Sequence, residues 1–541
     1  KDFLDNLPKL REKRQKIQKA RRRDDKAIFS YFKGQFLAVS PDKDYQEKQI
    51  EILKSLGIYE LFEKKIKRTL LIVSGEVVSK EMAGPAIRVW NFAKVLSQYM
   101  NVILAIPNEP NLPEQEFKIV QYRTDNELRE IIKNVDIILS GGTTFLKYPS
   151  IKNSEKFLIM DIYDPYNLAS LVEYKDEPFE KRLDVHKLIH YNLNEQLYWG
   201  DFFICASERQ RDFWLGMLAA LGRVNPFSHD EDPTLRKMID VVPFGLPSNM
   251  PLHTENVLKG VIKGASNKSG IYKNDFVVIW GGGIYNWFDP LTLIRAMAEI
   301  SRVASDVKLF FMGVKHPNPQ VKELKMVDES VSLSKKLGVY EKNVFFNFGW
   351  VEYDKRQNYL LESDAGIITH PLHVETRFSY RTRVLDYIWA GLPIISTRGD
   401  SLSDLIEKEG LGITVREGNV VDIVEAILKL KEDRKFYEEC VKNIERIREE
   451  FTWEKVCEPL IKFCKDPVVS AYKKKLEKEG EAEGKVEGYK LNRRGLAEQG
   501  SALSAKRGGA VYLVRRFLYH LIHSGPKKTL GYLSNYILKR R

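Results

Sequence analysis

From residue 69 onward the chain alternates short apolar runs with amphipathic stretches. TLLIVSG (69–75), NVILAIP (101–107), FKIVQY (117–122), VDIILSG (135–141), FLIMDIY (157–163) and DFFICAS (201–207) have the length and β-branched or aromatic content of buried strands. Segments between them, such as PAIRVWNFAKVLSQY, place apolar side chains at i, i+3 and i+4 and predict helices. This alternation predicts a parallel sheet with helices on both faces. IDVVPFGLPSNMP (239–251) interrupts it with three prolines and a glycine. The pattern then restarts with FVVIWGGG, VKLFFMG, NVFFNFG, AGIITH and PIISTRG. Two doubly wound, Rossmann-like α/β domains are expected, 69–245 and 246–465, facing each other across a ligand cleft at the carboxyl ends of both sheets.

The ends of the chain differ. Residues 1–68 read as a charged helical arm, either a solvated linker or a surface for an upstream domain, partner or acidic lipid. The chain starts at Lys1 without Met, as a processed product or a piece of a longer polypeptide would. Residues 466–500 read as a charged linker and 501–541 as a basic tail. In that tail Val514, Phe517, Leu518, Leu521 and Ile522 form one helical face, with Arg515, Arg516 and His523 off it. Such a helix either lies on an anionic membrane surface or packs on the protein body.

Charge sharpens this picture. The formal net charge is +12, yet 501–541 hold nine Lys or Arg and no acid, and 1–26 hold eleven bases against five acids. Residues 27–500 are left at about −3, which argues against a basic groove for nucleic acid. Four cysteines without C-x-x-C spacing signal neither a disulfide framework nor zinc and suit a reducing, cytoplasmic setting. No apolar run reaches the roughly 18 residues of a membrane span.

Three segments carry candidate chemistry. SGEVVSKEMAGPAIRVW places Gly84 where a loop opens a helix, a location whose free N–H groups favour an anion, though a plain turn explains it as well. WGGGIYNWFDPLTLIRA places Gly281, Gly282 and Gly283 at the equivalent turn of the second domain, without the third glycine of a dinucleotide fingerprint. SDAGIITHPLHVETRFSYRTRVLDYIWAGLPIISTRGD ends a strand at His370, adds Glu375 and Arg377, and then presents Arg381, Arg383 and Asp386 before an A-G-L-P turn. The spacing puts Arg383 and Asp386 on one helix face. These groups either hold a phosphate and a sugar hydroxyl or form an internal salt-bridge network. Asp161 and Asp164 follow a first-domain strand and either face the cleft or form a turn. His186 and His190, four apart on a helix, lack a third metal ligand, and the acidic HDED at 229–232 reads as a solvated loop.

The GPAIR loop, the IDVVPFG strand, WGGG followed by LIRA, FGWV before SDAGIITHP, and DYIWAGLPII occur in an order that resembles GT-B glycosyltransferases, family 4 in particular, over residues 69–465. The resemblance implies two Rossmann-like domains, a nucleotide-sugar donor in the second, and an acceptor saccharide or lipid-linked saccharide at the first. It implies transfer with retention, without metal or cofactor, in surface polysaccharide assembly at the inner face of a membrane. Arg381, Arg383, Glu375 and Asp161 would then be catalytic. Gly84, Gly282, Gly283, Arg377, Asp386 and His370 would bind the donor, and Arg88 and Asp164 would face the acceptor.

Two departures stand out. The family pairs two glutamates eight apart, whereas Glu375 and Asp386 here are eleven apart, with Asp386 in the ribose slot. The family's Arg and Lys for the donor diphosphate are replaced by Gly283 and Phe288. Arg381 and Arg383, with Arg377, are expected to substitute for them. A non-catalytic scaffold or glycan-binding module and a sugar-nucleotide epimerase are the competing readings.

Overall fold

A computed structural model of the chain describes residues 68–264, 269–314 and 325–468. The arm and the basic tail read from the sequence therefore lie outside the described residues, apart from Arg68, as does the linker beyond residue 468. All described residues belong to one compact unit built of two lobes.

The first lobe holds seven parallel strands, β1 (Thr69–Val73), β2 (Asn101–Ile106), β3 (Lys118–Gln121), β4 (Ile137–Gly141), β5 (Phe157–Asp161), β6 (Phe202–Cys205) and β7 (Ile239–Val241), in the order β3-β2-β1-β4-β5-β6-β7. The second holds six, β8 (Phe276–Trp280), β9 (Val307–Phe311), β10 (Val344–Phe346), β11 (Ala365–Ile368), β12 (Ile394–Thr397) and β13 (Gly412–Val415), in the order β10-β9-β8-β11-β12-β13. The central strands are buried almost throughout, as the continuous apolar runs require of a sheet covered on both faces. Strand order reverses between β1 and β4 and between β8 and β11. Loops diverge at such a reversal and open a crevice at the strand ends.

Helices that position the crevice are α1 (Gly84–Ser97), α2 (Tyr166–Glu173), α3 (Phe179–Trp199), α4 (Glu208–Ala220), α5 (Pro290–Val303), α6 (Arg356–Leu361), α7 (Arg383–Ala390), α8 (Ser401–Glu409) and α9 (Glu458–Lys465). Helix α1 starts with a proline in its first turn and buries Ala86, Trp90, Phe92, Ala93 and Leu96. Helix α7 buries Val384, Leu385, Tyr387, Ile388 and Trp389 and stops at Gly391, whose φ of 74° is a left-handed C-cap that favours glycine.

One domain boundary needs correction. Residues 453–465, assigned from the sequence to the second domain, pack on the first. The Trp453 ring lies 5.9 Å from Phe92 and 4.8 Å from Phe244, and Phe463 of α9 stacks on Phe202 at 4.6 Å. The crossing is pinned by main-chain bonds from Leu246 N to Phe451 O (2.8 Å) and from Trp453 N to Leu246 O (3.0 Å). A Cβ on Gly245 would lie 2.7 Å from the Trp453 ring, so the glycine of VVPFG makes room for it.

Candidate active site

In the second lobe, β8 ends in the turn Gly281–Gly283 and the adjacent β11 runs into His370. Tyr387 of α7 holds these two strand ends together. Its hydroxyl accepts from Gly281 N (2.8 Å) and lies 3.1 Å and 2.9 Å from the carbonyls of Ile279 and Ile367. The ring rests against Gly366, where a Cβ would come within 2.2 Å of it. Gly282 has a φ of 111° that a larger residue adopts only under strain.

Arg383, the first residue of α7, reaches back to this turn. It donates to Gly283 O, which also accepts from Trp280 Nε1 at 3.2 Å. Its guanidinium lies 4.1 Å from the Phe288 ring centroid and 5.0 Å from that of Trp280, and the Arg381 guanidinium lies 5.3 Å from Phe288. The ring standing in the family's lysine slot thus carries two arginines, brought there by another element. Arg383 is only 8% exposed, and among the described residues no carboxylate bonds it and its NH1 has no partner. Burial pushes its pKa down to about 10.

Arg381 donates to Glu375 Oε2 (2.9 Å). Its Nε lies 3.9 Å from Asp400 Oδ2, which is 3.4 Å from His370 Nε2. Asp400 caps α8 through Oδ1, accepting from Leu402 N and Ser403 N, which leaves the buried Oδ2 turned toward His370 and Arg381. Burial opposes its charge, but the adjacent His370, the charge of Arg381 and the cap together lower its pKa.

Several sequence expectations change. Arg383 and Asp386, expected on one helix face, have separate partners. Asp386 Oδ1 accepts from Arg356 Nε (3.1 Å) of α6, and 32% of its side chain stays exposed. Arg377 is exposed and lies over Phe378, apart from the two clustered arginines. Gly84 begins α1, whose first turn has no side-chain cap, but a Cβ there would meet nothing within 4 Å, so packing does not demand the glycine. Arg88 faces no open acceptor surface. It bonds both oxygens of Asp161 (2.7 and 3.0 Å) and the carbonyls of Val242 (2.8 Å) and Pro243 (2.9 Å), which commits Asp161 to a buried pair. His186 and His190 touch edge-on at 4.4 Å, and among the described residues no group of three metal-ligating side chains forms.

Asp164 sits between the lobes. Burial, then the negative charges of Glu375 from the second lobe and of Asp161, raise its pKa to about 7 against the opposing pull of Arg88 and Arg381. Tyr163 bonds Tyr380 O across the cleft at 3.3 Å. Burial raises the hydroxyl pKa of both Tyr166 and Tyr285, and the charge of Glu76, on the loop after β1, adds to it in each. The sequence reading missed Asp400, although D-S-L-S after a strand is a helix-capping signature, and it read Phe288 only as a lost lysine.

Two parallel sheets of this topology, facing across a cleft lined with buried arginines, define a GT-B protein. Residues 262–447, in its second lobe and about a third of the chain, match the family described as Glycosyl transferases group 1. Among solved structures, the chain is similar to Anabaena Alr3699/HepE in complex with UDP-glucose, at 15% identity and a TM-score of 0.52 over 74% of this chain and 100% of that one. It is also similar to OtsA in its apo form (10%, TM-score 0.53, 74% and 100%). WaaG, a glycosyltransferase involved in lipopolysaccharide biosynthesis, is a third (14%, TM-score 0.50, 74% and 100%). At these identities the likeness establishes the shared fold. No curated protein matches the chain in sequence.

Proposed function

We propose that the protein transfers a glycosyl group from a nucleotide-sugar donor to a hydroxyl of a saccharide or lipid-linked saccharide. The observation that carries this reading is Arg383, a buried cation with an unpartnered nitrogen, set against a glycine turn at the switch point of the second sheet. An unpaired buried charge is costly, and an anion in the crevice offsets that cost. A diphosphate fits the place, with Arg383 and Arg381 facing its oxygens and Asp386 accepting from the ribose hydroxyls.

In the transfer the bond from the anomeric carbon to the diphosphate breaks and its electron pair leaves on the phosphate oxygen. The arginines, fixed on packed aromatic rings, stabilise that charge without reorganisation. The acceptor oxygen bonds the anomeric carbon from the face the diphosphate leaves, so configuration is retained, and its proton passes to the departing phosphate. Asp164 holds the acceptor hydroxyl. Neither metal nor cofactor is assigned a step.

The resemblance to family 4 and the acid-free tail support a setting in surface polysaccharide assembly, at the cytoplasmic face of a membrane. Among the described residues no helix is long and apolar enough to cross one. A panel of nucleotide sugars, scored by thermal stabilisation and by release of the nucleoside diphosphate with candidate acceptors, tests the reading. One donor should stabilise the wild-type chain and fail to stabilise Arg383→Ala. Stabilisation by no donor, or equal stabilisation of both chains, overturns it.

A further inference from the structure

Three main-chain carbonyls beside the arginine cluster accept hydrogen bonds from side chains of the opposite lobe. Gln210 Nε2 donates to Phe378 O (2.8 Å), Tyr163 Oη to Tyr380 O (3.3 Å), and Arg209 NH1 to Gly399 O (3.0 Å). Phe378 closes the short turn that follows Glu375, Tyr380 directly precedes Arg381, and Gly399 directly precedes Asp400. The first lobe therefore grips the two loops that carry Glu375, Arg381 and Asp400, and it grips them by their backbone.

The grip is built into the start of α4. Ser207 caps the helix by accepting from Gln210 N, and Gln210 is fully buried. Its Oε1 accepts from Ala206 N at 2.8 Å, which fixes the amide so that Nε2 must point outward to Phe378. One turn on, the Phe213 ring lies 4.9 Å from that of Phe378. Arg209 adds an ion pair to Asp404 in the first turn of α8, the helix that Asp400 caps. The Gly399 loop cannot shift freely either, since a Cβ on Gly399 would lie 2.6 Å from Leu372 Cδ2.

We propose that Gln210 and Arg209 are positioning residues through which closure of the first lobe orders the anion-binding loops of the second. They touch neither the donor nor the acceptor. Without them the Asp400 loop loses its cross-lobe donor, the Arg381 loop keeps only the longer bond from Tyr163, and the phosphate site loses preorganisation. The inference rests on the proposed transferase reading only for its kinetic part.

The experiment combines hydrogen exchange and kinetics on the full chain carrying Gln210→Ala, Arg209→Ala or Arg209→Lys. Without ligand, exchange at 376–383 and 398–404 should quicken severalfold in both alanine variants while β8 and β11 keep their protection. The KM for the nucleotide sugar should rise about three- to tenfold, the range one lost hydrogen bond spans, with the acceptor KM unchanged and Arg209→Lys close to wild type. Unchanged loop exchange in both alanine variants, or faster exchange spread evenly over both sheets, overturns the proposal. Faster exchange confined to these loops in a chain that turns over no nucleotide sugar keeps the clamp and rejects the transferase.

Discussion

Arg88 and Arg383 approach the cleft from opposite lobes, and the protein treats them in opposite ways. Both are buried, at 2% and 8% exposure. Arg88 meets a carboxylate in two bonds and two carbonyls in two more. Burial works against its charge, but Asp161 outweighs burial and raises its pKa. Arg383 meets one carbonyl and a set of aromatic faces, and burial prevails. Residue type and burial do not separate a strut from a binding group. The completeness of the partner set does, because a saturated guanidinium has nothing left to offer a ligand.

The largest test removes the strut. Arg88→Met keeps much of the volume but leaves Asp161 buried without its cation, which should cost about 3–5 kcal/mol in urea unfolding. Arg383→Met leaves no orphaned acid and should be neutral or stabilising in the absence of ligand. Equal losses in the two variants would break the comparison.

Activity should reverse the order. Arg383→Ala is expected to lower nucleotide-sugar transfer by about 10²–10³, the effect of removing one fixed charge-stabilising donor. Its circular dichroism and unfolding midpoint should stay near wild type, so the loss is read as chemistry. Near-normal turnover in this variant would return Arg383 to a structural role.

How far the sequence reveals these roles depends on the range of the interactions. Strands show because each apolar run is local, and the twelve expected from the first lobe, the interdomain segment and the second lobe all form. Strand β13 escaped notice because GITV is short, flanked by glycine and only half-buried over its first three residues. The i, i+3 spacing puts Arg383 and Asp386 on one helix face but does not reveal their partners: Arg383 opens the helix and turns back to the glycine loop, while Asp386 finds Arg356 thirty residues upstream. Crowding of arginines between 377 and 383 drew attention to this loop but could not tell exposed Arg377 from the two that Phe288 gathers. Gln210 left no trace, since its partner across the cleft is a carbonyl that any residue supplies. The matched family region, 262–447, likewise leaves the first lobe's contribution to be read from contacts alone.

The smallest effect concerns an acid that both lobes perturb. Asp164 has a folded pKa of about 7, above its unfolded value of 3.8, because burial, Glu375 and Asp161 outweigh Arg88 and Arg381, with Tyr163 and Tyr166 as its other ionisable neighbours. A raised folded pKa favours the protonated fold, so this group's stabilisation is complete below its unfolded pKa and is lost as pH rises through about 7. Asp164→Asn should therefore match the wild type in Tm near pH 4 and exceed it by a few degrees above neutrality. For transfer the sign is opposite: the carboxylate accepts the acceptor hydroxyl, so wild-type rate should climb through pH 7. The Asn variant keeps an acceptor oxygen, so it should lose less than about tenfold and show a flat profile across that range. An inflection near pH 7 that survives in the Asn variant would assign the titration to another group and take Asp164 out of the transfer step.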